Sequence, residues 1–153
     1  MKKFELTSET KINIFGKKLF RIKALISFGN VEAGETGGWV EKEENVNQSG
    51  DAWVFDNAEV FDNARVSDNA WVFGNARVFD NADYATIHGF GTQFRTTTFF
   101  RCKDKQVKVS CGCFYGTIPE FREQVKNTRK GKIAEEYLMI ADLMEKHFAE
   151  EAK

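Results

Sequence analysis

Between residues 54 and 83 the chain repeats a six-residue pattern five times, and this repeat limits its possible folds more than any other feature. In one-letter code the hexads are VFDNAE, VFDNAR, VSDNAW, VFGNAR and VFDNAD. Valine opens every hexad, and alanine stands four places later. A fixed period indicates that each hexad is the same structural unit, which buries its apolar side by stacking on neighbours.

The pattern resembles the hexapeptide repeat of left-handed parallel β-helices, in which three hexads form one triangular coil. A narrow prism has room for one branched side chain on each face and a small one where the chain turns. Asp-Asn and Gly-Asn suit the corners because these residues tolerate positive φ. The resemblance implies a mainly β fold with a left-handed β-helix of about three coils over residues 36–91. The first coil, residues 36–53, is expected to be irregular because Lys42 and Gln48 occupy the valine column.

An 18-residue spacing supports this interpretation, because residues three hexads apart should stack about 4.8 Å apart in adjacent coils. The matched pairs are Trp53 with Trp71, Phe55 with Phe73, Phe61 with Phe79, Glu59 with Arg77 and Arg65 with Asp83. Pairs of rings and of opposite charges at one spacing favour the β-helix over a β-propeller or a flat meander.

The segments on both sides of the repeat are predicted to cap it, since the end of a solenoid exposes apolar interior and unpaired strand edges. Alternating residues predict β-hairpins within 11–26, around Gly16, and within 96–111. A capping box at residues 117–120 and an apolar stripe after Gly131 predict two helices. The resulting folding unit comprises an N-terminal β cap (1–35), the repeat (36–91), a β-hairpin (92–116) and a helical hairpin (117–153).

Three further segments carry a second resemblance. They are residues 19–25 (LFRIKAL), 37–45 (GGWVEKEEN) and 109–114 (VSCGCF). With these and the Asn-Ala repeats, the chain resembles a group of small uncharacterised proteins of bacteriophages and prophages over nearly its full length. The resemblance implies a phage origin and no particular activity.

Composition excludes several classes of protein. Twenty-two Lys and Arg against 23 Asp and Glu leave a net charge of −1, so the whole surface has no general attraction for nucleic acid or anionic membrane. The sequence has no apolar membrane span and no signal-like start, which predicts a cytoplasmic protein of the bacterial host. Cys111 and Cys113 fit neither a disulfide framework nor a zinc site, so we expect reduced thiols, no metal and no cofactor.

The aromatic residues of the repeat are predicted to form a ladder that faces outward. The candidate oligomer-interface residues are Trp53, Phe55, Phe61, Trp71, Phe73 and Phe79. Six rings in water would exceed the apolar patch of an ordinary soluble monomer. They are expected to be covered by a second copy of the chain, by the C-terminal helices or by a stacked ligand, and we predict a homo-oligomer.

A second candidate surface follows the repeat, where residues 84–117 carry five bases and one acid. Cations alternate there with aromatic residues and threonines, as in sites that stack a base and hold a phosphate; a solvated hairpin is the alternative. The ligand-binding candidates are Arg95, Phe99, Phe100, Arg101, Lys103 and Lys105. Arg95 and Arg101 would lie about 20 Å apart on one extended strand, so a shared site needs a bend or a subunit boundary.

Three functions follow from these features, in order of preference. The first is a non-catalytic phage protein that binds and sequesters a small anionic metabolite or nucleotide, such as a host immune signal. The second is a structural or protein-binding oligomeric module. The third is a hexapeptide-repeat acyltransferase with His88 as its base. We expect no catalytic residues and no membrane partner. We also expect no binding of duplex nucleic acid, because five cations would contact only a short stretch of its backbone.

Overall fold

The structure, a computed structural model, describes residues 2–79, 83–93, 95–111 and 114–149. The described chain is mainly β, with several sheets followed by two helices. The elements are β1 (Phe4–Ile12), β2 (Lys18–Ala24), β3 (Thr36–Val40), β4 (Trp53–Val54), β5 (Glu59–Val60), β6 (Trp71–Val72), β7 (Arg77–Val78), β8 (Tyr84–Phe90), β9 (Arg95–Arg101), β10 (Val107–Cys111), β11 (Phe114–Thr117), α1 (Ile118–Thr128) and α2 (Gly131–Phe148).

The first sheet has the order β1-β2-β3-β5-β7 and joins the N-terminal segment to the repeat. Strands β1 and β2 form the predicted hairpin, in which Ile12 pairs with Lys18 across the turn at Gly16. Gly16 adopts a φ of 78°, which a residue without a Cβ reaches at little cost. The hairpin prediction is confirmed, although β1 begins earlier than the alternation indicated, at Phe4.

The repeat pairs in parallel at the predicted spacing. Trp53 lies opposite Trp71 in the two-stranded β4-β6 sheet, and Glu59 lies opposite Arg77 in β5-β7. Both pairs are 18 residues apart, so this part of the predicted register is confirmed. Before the repeat, β3 pairs with β5 through Trp39 and Glu59, a separation of 20 residues. The pairing of β3 with the repeat is therefore offset by two residues from the 18-residue spacing.

The repeat buries its small and branched side chains as the hexad pattern predicts. The fully buried columns are Val54, Val60, Val66, Val72 and Val78, and Ala58, Ala64, Ala70 and Ala76. Asp56, Asp62 and Asp68 have φ values of 56°, 51° and 58°, and Gly74 has 64°. These are the corner positions, where Asp and Gly tolerate a left-handed backbone better than other residues.

A second sheet, of order β11-β10-β9-β8, follows the repeat and is antiparallel throughout. The predicted hairpin of β9 and β10 is confirmed by the pairing of Arg101 with Val107. Residues 84–90, which the sequence pattern placed at the end of the repeat, form β8 and pair antiparallel with β9. That extension of the repeat register was wrong, because the strand bonds to the hairpin rather than to a preceding coil.

The two predicted helices pack on the second sheet. Thr117 caps α1: its hydroxyl accepts a hydrogen bond from the Glu120 amide, and the Glu120 side chain returns to the Thr117 amide at 2.9 Å. Phe121 and Val125 of α1 join Ile140 and Met144 of α2 in one buried cluster. Strand β9 consequently lies between these helices and the repeat, with both of its faces covered.

A buried lysine links the N-terminal segment to the residues just before the repeat. The Lys3 ammonium donates hydrogen bonds to the carbonyl oxygens of Ala52, at 2.8 Å, and Gly50, at 3.3 Å. The Lys3 amide donates to Oε1 of Gln48, which explains why glutamine interrupts the valine column at this point. Burial lowers the pKa of Lys3 to about 8, because a charged ammonium is destabilised when it leaves water.

Candidate functional site

A cavity of about 210 Å³ lies where α1, α2 and the strands β9 and β10 meet. The rings of Phe114, Phe121 and Tyr137 supply its aromatic wall. Its polar lining consists of Arg95, Arg129, Gln124, Thr128 and Cys111. None of the described residues that line it is acidic, so the cavity combines an apolar wall with two cations and several hydrogen-bonding groups.

The ends of secondary-structure elements bring the two arginines to the cavity. Arg95 is the first residue of β9, and Arg129 follows the last residue of α1. The Arg129 amide donates to the Val125 carbonyl, which fixes the backbone where the helix stops. A cation at a helix C-terminus is stabilised by the helix dipole, so α1 favours a charged side chain here.

Tyr137 lines the cavity and lies close to Phe121 and Gly91. Its ring packs edge-on against Phe121, with the ring centroids 5.8 Å apart. A Cβ at Gly91 would lie 2.6 Å from the Tyr137 hydroxyl, so a glycine is required for this close approach. Thr97 donates a hydrogen bond to the sulfur of Cys111, which also lines the cavity, at 3.1 Å.

The electrostatics of the cavity favour an anion. Among the residues that the structure describes, neither Arg95 nor Arg129 forms an ion pair; Arg95 donates only to the neutral Gln93 side chain, at 3.2 Å. Burial raises the pKa of the Tyr137 hydroxyl, and Cys111 adds to the rise, while the charges of Arg129 and Arg95 oppose it. Tyr137 is therefore a neutral hydroxyl donor near two uncompensated cations.

The predicted ligand residues do not form a single site. Arg95 lines the cavity, whereas Arg101, at the other end of β9, lines a separate cavity of about 410 Å³ together with Lys105. The Nε of Arg101 lies 3.2 Å from a carboxylate oxygen of Asp83, so its charge is compensated. Lys103 pairs with Glu59 at 3.3 Å. The strand geometry had already indicated that Arg95 and Arg101 are too far apart to share a phosphate.

The expectation that Phe99 or Phe100 faces outward for stacking was wrong. Both side chains are 0% exposed. Neighbouring residues of a strand point to opposite faces, and both faces of β9 are covered. Phe99 therefore packs against Phe121 beneath the helices, while Phe100 joins the core of the repeat.

The aromatic ladder stacks as predicted. The rings of Phe55 and Phe73 are parallel, with centroids 4.2 Å apart, and those of Phe61 and Phe79 are 5.5 Å apart. However, the ladder is not an exposed face. Trp53 and Phe61 are buried, Phe55, Trp71 and Phe73 are half-buried, and only Phe79, at 40%, is counted among the exposed large apolar residues.

The chain itself covers the ladder, and the C-terminal helices are not the main cover. Phe4 and Phe28, from the N-terminal region, pack edge-on against Trp53. Phe15, from the tip of the β1-β2 hairpin, lies 6.0 Å from Phe61. Trp53 and Phe61 therefore cannot act as oligomer-interface residues while the N-terminal region is folded.

Sequence reasoning did not identify Arg129, Gln124 and Tyr137 as site residues. Tyr137 was placed only on the apolar stripe of α2, where a lone hydroxyl-bearing ring among aliphatic residues was the available signal. Arg129 belongs to a run of exposed basic residues between the helices and carries no distinguishing pattern.

The remaining candidates stay without a supported role. His88 is exposed on β8, with Nδ1 2.9 Å from the Thr96 hydroxyl. Cys113, predicted to be a reduced thiol like Cys111, lies outside the described residues. Within the described ranges, no three His, Cys, Asp or Glu side chains are grouped to hold a metal ion, and neither helix has the length and apolarity to cross a membrane.

Comparison of the chain with protein-family models and with curated protein sequences finds no match.

Proposed function

We propose that this protein binds a small anionic metabolite or nucleotide and holds the ligand's phosphate or carboxylate between Arg95 and Arg129. The observation that carries the proposal is the approach of two guanidinium groups, without acidic partners in the described chain, to one cavity beside the Tyr137 hydroxyl. A guanidinium presents several N–H donors in a plane that matches a phosphate or carboxylate, so an anion bound in the cavity would accept hydrogen bonds from both arginines.

The size of the cavity limits which part of the ligand is enclosed. Pockets that enclose drug-sized ligands measure about 300–1,000 Å³, and this cavity measures about 210 Å³. It therefore accommodates the charged group and an adjoining fragment against Phe114 and Phe121, while the rest of a nucleotide would extend toward solvent. This arrangement suits a protein that binds its ligand without reacting with it. On this proposal the protein sequesters the ligand, such as a host signal, and releases it chemically unchanged.

We infer that the repeat forms a short left-handed parallel β-helix that serves as a rigid support for the second sheet. Support comes from the parallel 18-residue pairing, the buried valine columns and the left-handed Asp corners. The handedness follows from the resemblance to hexapeptide repeats. The carbonyl of Arg65 in the repeat accepts a hydrogen bond from Tyr84 of β8, which links the two parts.

A ligand panel tests the proposed function. Nucleotides, cyclic nucleotides, ADP-ribose derivatives and phosphorylated or carboxylated metabolites are screened for a rise in melting temperature, because a ligand that binds only the folded state stabilises it by RT ln(1 + [L]/Kd). Arg129→Gln is expected to abolish the rise. Lys126→Gln, an exposed change on the same helix that does not line the cavity, should preserve it. An undiminished rise in Arg129→Gln would contradict the proposal.

A second candidate function, a protein-binding or self-associating module, is favoured by one observation. Ile12, Ile14 and Phe15 at the tip of the β1-β2 hairpin are more than half exposed, and Phe79 lies beside Phe15 with ring centroids 6.0 Å apart. If copies associate through this patch, Ile14→Ser combined with Phe15→Ser lowers the mass measured by light scattering. An unchanged mass would exclude the patch as the oligomer interface.

A further inference from the structure

A buried charge cluster joins three separate parts of the chain. Glu59 of β5 is 2% exposed and lies opposite Arg77 of β7. Its Oε2 lies 2.9 Å from the Lys11 ammonium of β1 and 3.3 Å from the Lys103 ammonium of the β9-β10 turn. Its Oε1 lies 3.8 Å from Nε of Arg77 and accepts a hydrogen bond from the Asn13 side chain at 3.4 Å.

The cluster has more positive charge than its carboxylate can compensate. In the part of the chain that the structure describes, Lys11, Arg77 and Lys103 form ion pairs with Glu59 alone. Three cations on one carboxylate leave an excess of two positive charges. Burial would raise the pKa of Glu59, but hydrogen bonds and charge from Lys11 and Lys103 outweigh it and lower the pKa, so the carboxylate stays ionised.

One donor of the cluster lacks an acceptor. Nε of Arg77 is buried and makes no hydrogen bond within the described structure. The Phe15 ring lies over the same guanidinium at 5.2 Å and reduces its contact with water. An unpaired donor in such a place destabilises the fold unless an acceptor reaches it.

The two lysines present hydrogen-bond donors on the solvent-accessible side of the cluster. Both ammonium groups contact the same oxygen of Glu59, so their nitrogen atoms lie within about 6 Å of each other. The Lys11 side chain is 31% exposed and the Lys103 side chain 35%, so solvent reaches this side of the cluster. Each ammonium has three N–H donors and spends one on Glu59, which leaves donors for an anion bridging the two.

We propose that Lys11, Lys103 and Arg77 form a second anion site, separate from the Arg95–Arg129 cavity, that binds a multivalent oxyanion of the phosphate class. A tetrahedral oxyanion places several acceptors close together, so it can bridge both ammonium groups while compensating the excess charge. Because the three cations come from the N-terminal hairpin, the repeat and the β9-β10 turn, the anion also fastens these parts to one another.

The experiment uses inorganic phosphate as the probe and measures its binding to the Arg129→Gln variant. This substitution weakens phosphate binding in the Arg95–Arg129 cavity, so the remaining binding reports on the second site. The melting temperature is measured in phosphate and in chloride at equal ionic strength and pH. We expect a higher melting temperature in phosphate than in chloride, with a difference that increases with phosphate concentration. Adding Lys103→Gln should weaken phosphate binding about tenfold or more, the loss expected for a charge-assisted hydrogen bond. Lys105→Gln changes a lysine in the same turn with no contact to Glu59 and should keep the response.

Equal melting temperatures in phosphate and chloride would overturn this inference, as would a full phosphate response in the Lys103→Gln variant. If Lys103→Gln does not fold, Lys11→Gln takes its place, and phosphorus NMR line widths measure phosphate binding by the folded background protein. Line widths that do not broaden in the presence of that protein would also overturn it. Phosphate binding that is lost in Arg129→Gln but kept in Lys103→Gln would show that only the Arg95–Arg129 cavity binds phosphate. This result would overturn the second site and leave the proposed function intact.

Discussion

Lys3 is the most sensitive probe of how the N-terminal segment closes the repeat. Its ammonium is buried against the Phe28 ring and bonded to the Ala52 and Gly50 carbonyls. Burial lowers its pKa from 10.5 to about 8, and the charge of Asp51 offsets the fall only in part. Lys3→Met removes the charge and keeps most of the apolar stem, so it isolates the titration of this group.

The sign of the effect follows from proton linkage. Below pH 8 the lysine is charged in both the folded and the unfolded chain, and the folded state bears the full desolvation penalty. Between pH 8 and 10.5 the unfolded chain binds more protons at this site, so the lysine's contribution to stability rises with pH. At about 1.36 kcal/mol for each pKa unit, the contribution of Lys3 to the free energy of unfolding rises by roughly 3 kcal/mol in total.

The assay is urea unfolding of wild type and Lys3→Met from pH 7.5 to 10.5, with the difference between the two free energies plotted against pH. Subtraction removes other titrations, such as that of Cys102, whose pKa burial raises to about 12. The free energy of unfolding of the wild type, relative to that of Lys3→Met, should increase as the pH rises. Lys2→Met, which changes the exposed neighbour that pairs with Glu43, should show no such gain. If the difference in free energy of unfolding between wild type and Lys3→Met stays constant or falls as the pH rises, burial does not lower the pKa of Lys3.

Three further changes test the core, the helix cap and the cavity. Val66→Asp places an unpaired charge in the repeat and should abolish soluble expression, whereas Ser67→Asp, at the adjacent half-buried position, should remain soluble. Thr117→Ala removes the cap of α1 and should lower the free energy of unfolding by about 1 kcal/mol in chemical denaturation. Gly91→Ala should displace Tyr137 and weaken binding of any ligand from the panel, measured by calorimetry.

The repeat was predictable because its stacking depends on local, identical units. Each hexad supplies a buried Val, a buried Ala and a corner, so one spacing sets the pairing of Trp53 with Trp71 and of Glu59 with Arg77. The capping box at Thr117 was predictable for the same reason, since its hydrogen bonds join residues three apart.

The cover of the ladder was not predictable, because it depends on contacts between distant segments. Phe4 reaches Trp53 across 49 positions of sequence, and no local pattern states which flank folds over which face. One available signal was missed: two adjacent apolar rings, Phe99 and Phe100, on one strand indicate a strand buried on both faces. The cavity has the same long-range origin, since Arg95 and Arg129 come from different elements and line one cavity only after the helices pack on the sheet.

The small molecule carried by the purified protein can be identified directly, which tests whether the Arg95–Arg129 cavity binds an anion. Wild type and the Arg95→Gln/Arg129→Gln double variant are expressed in bacteria, purified without denaturation and heated, and the released small molecules are identified by mass spectrometry. Wild type should release a phosphate- or carboxylate-bearing compound in near-stoichiometric amount and chemically unchanged, and the double variant should release none. An equal amount from both proteins, or recovery of the compound only in cleaved form, would contradict the proposed function.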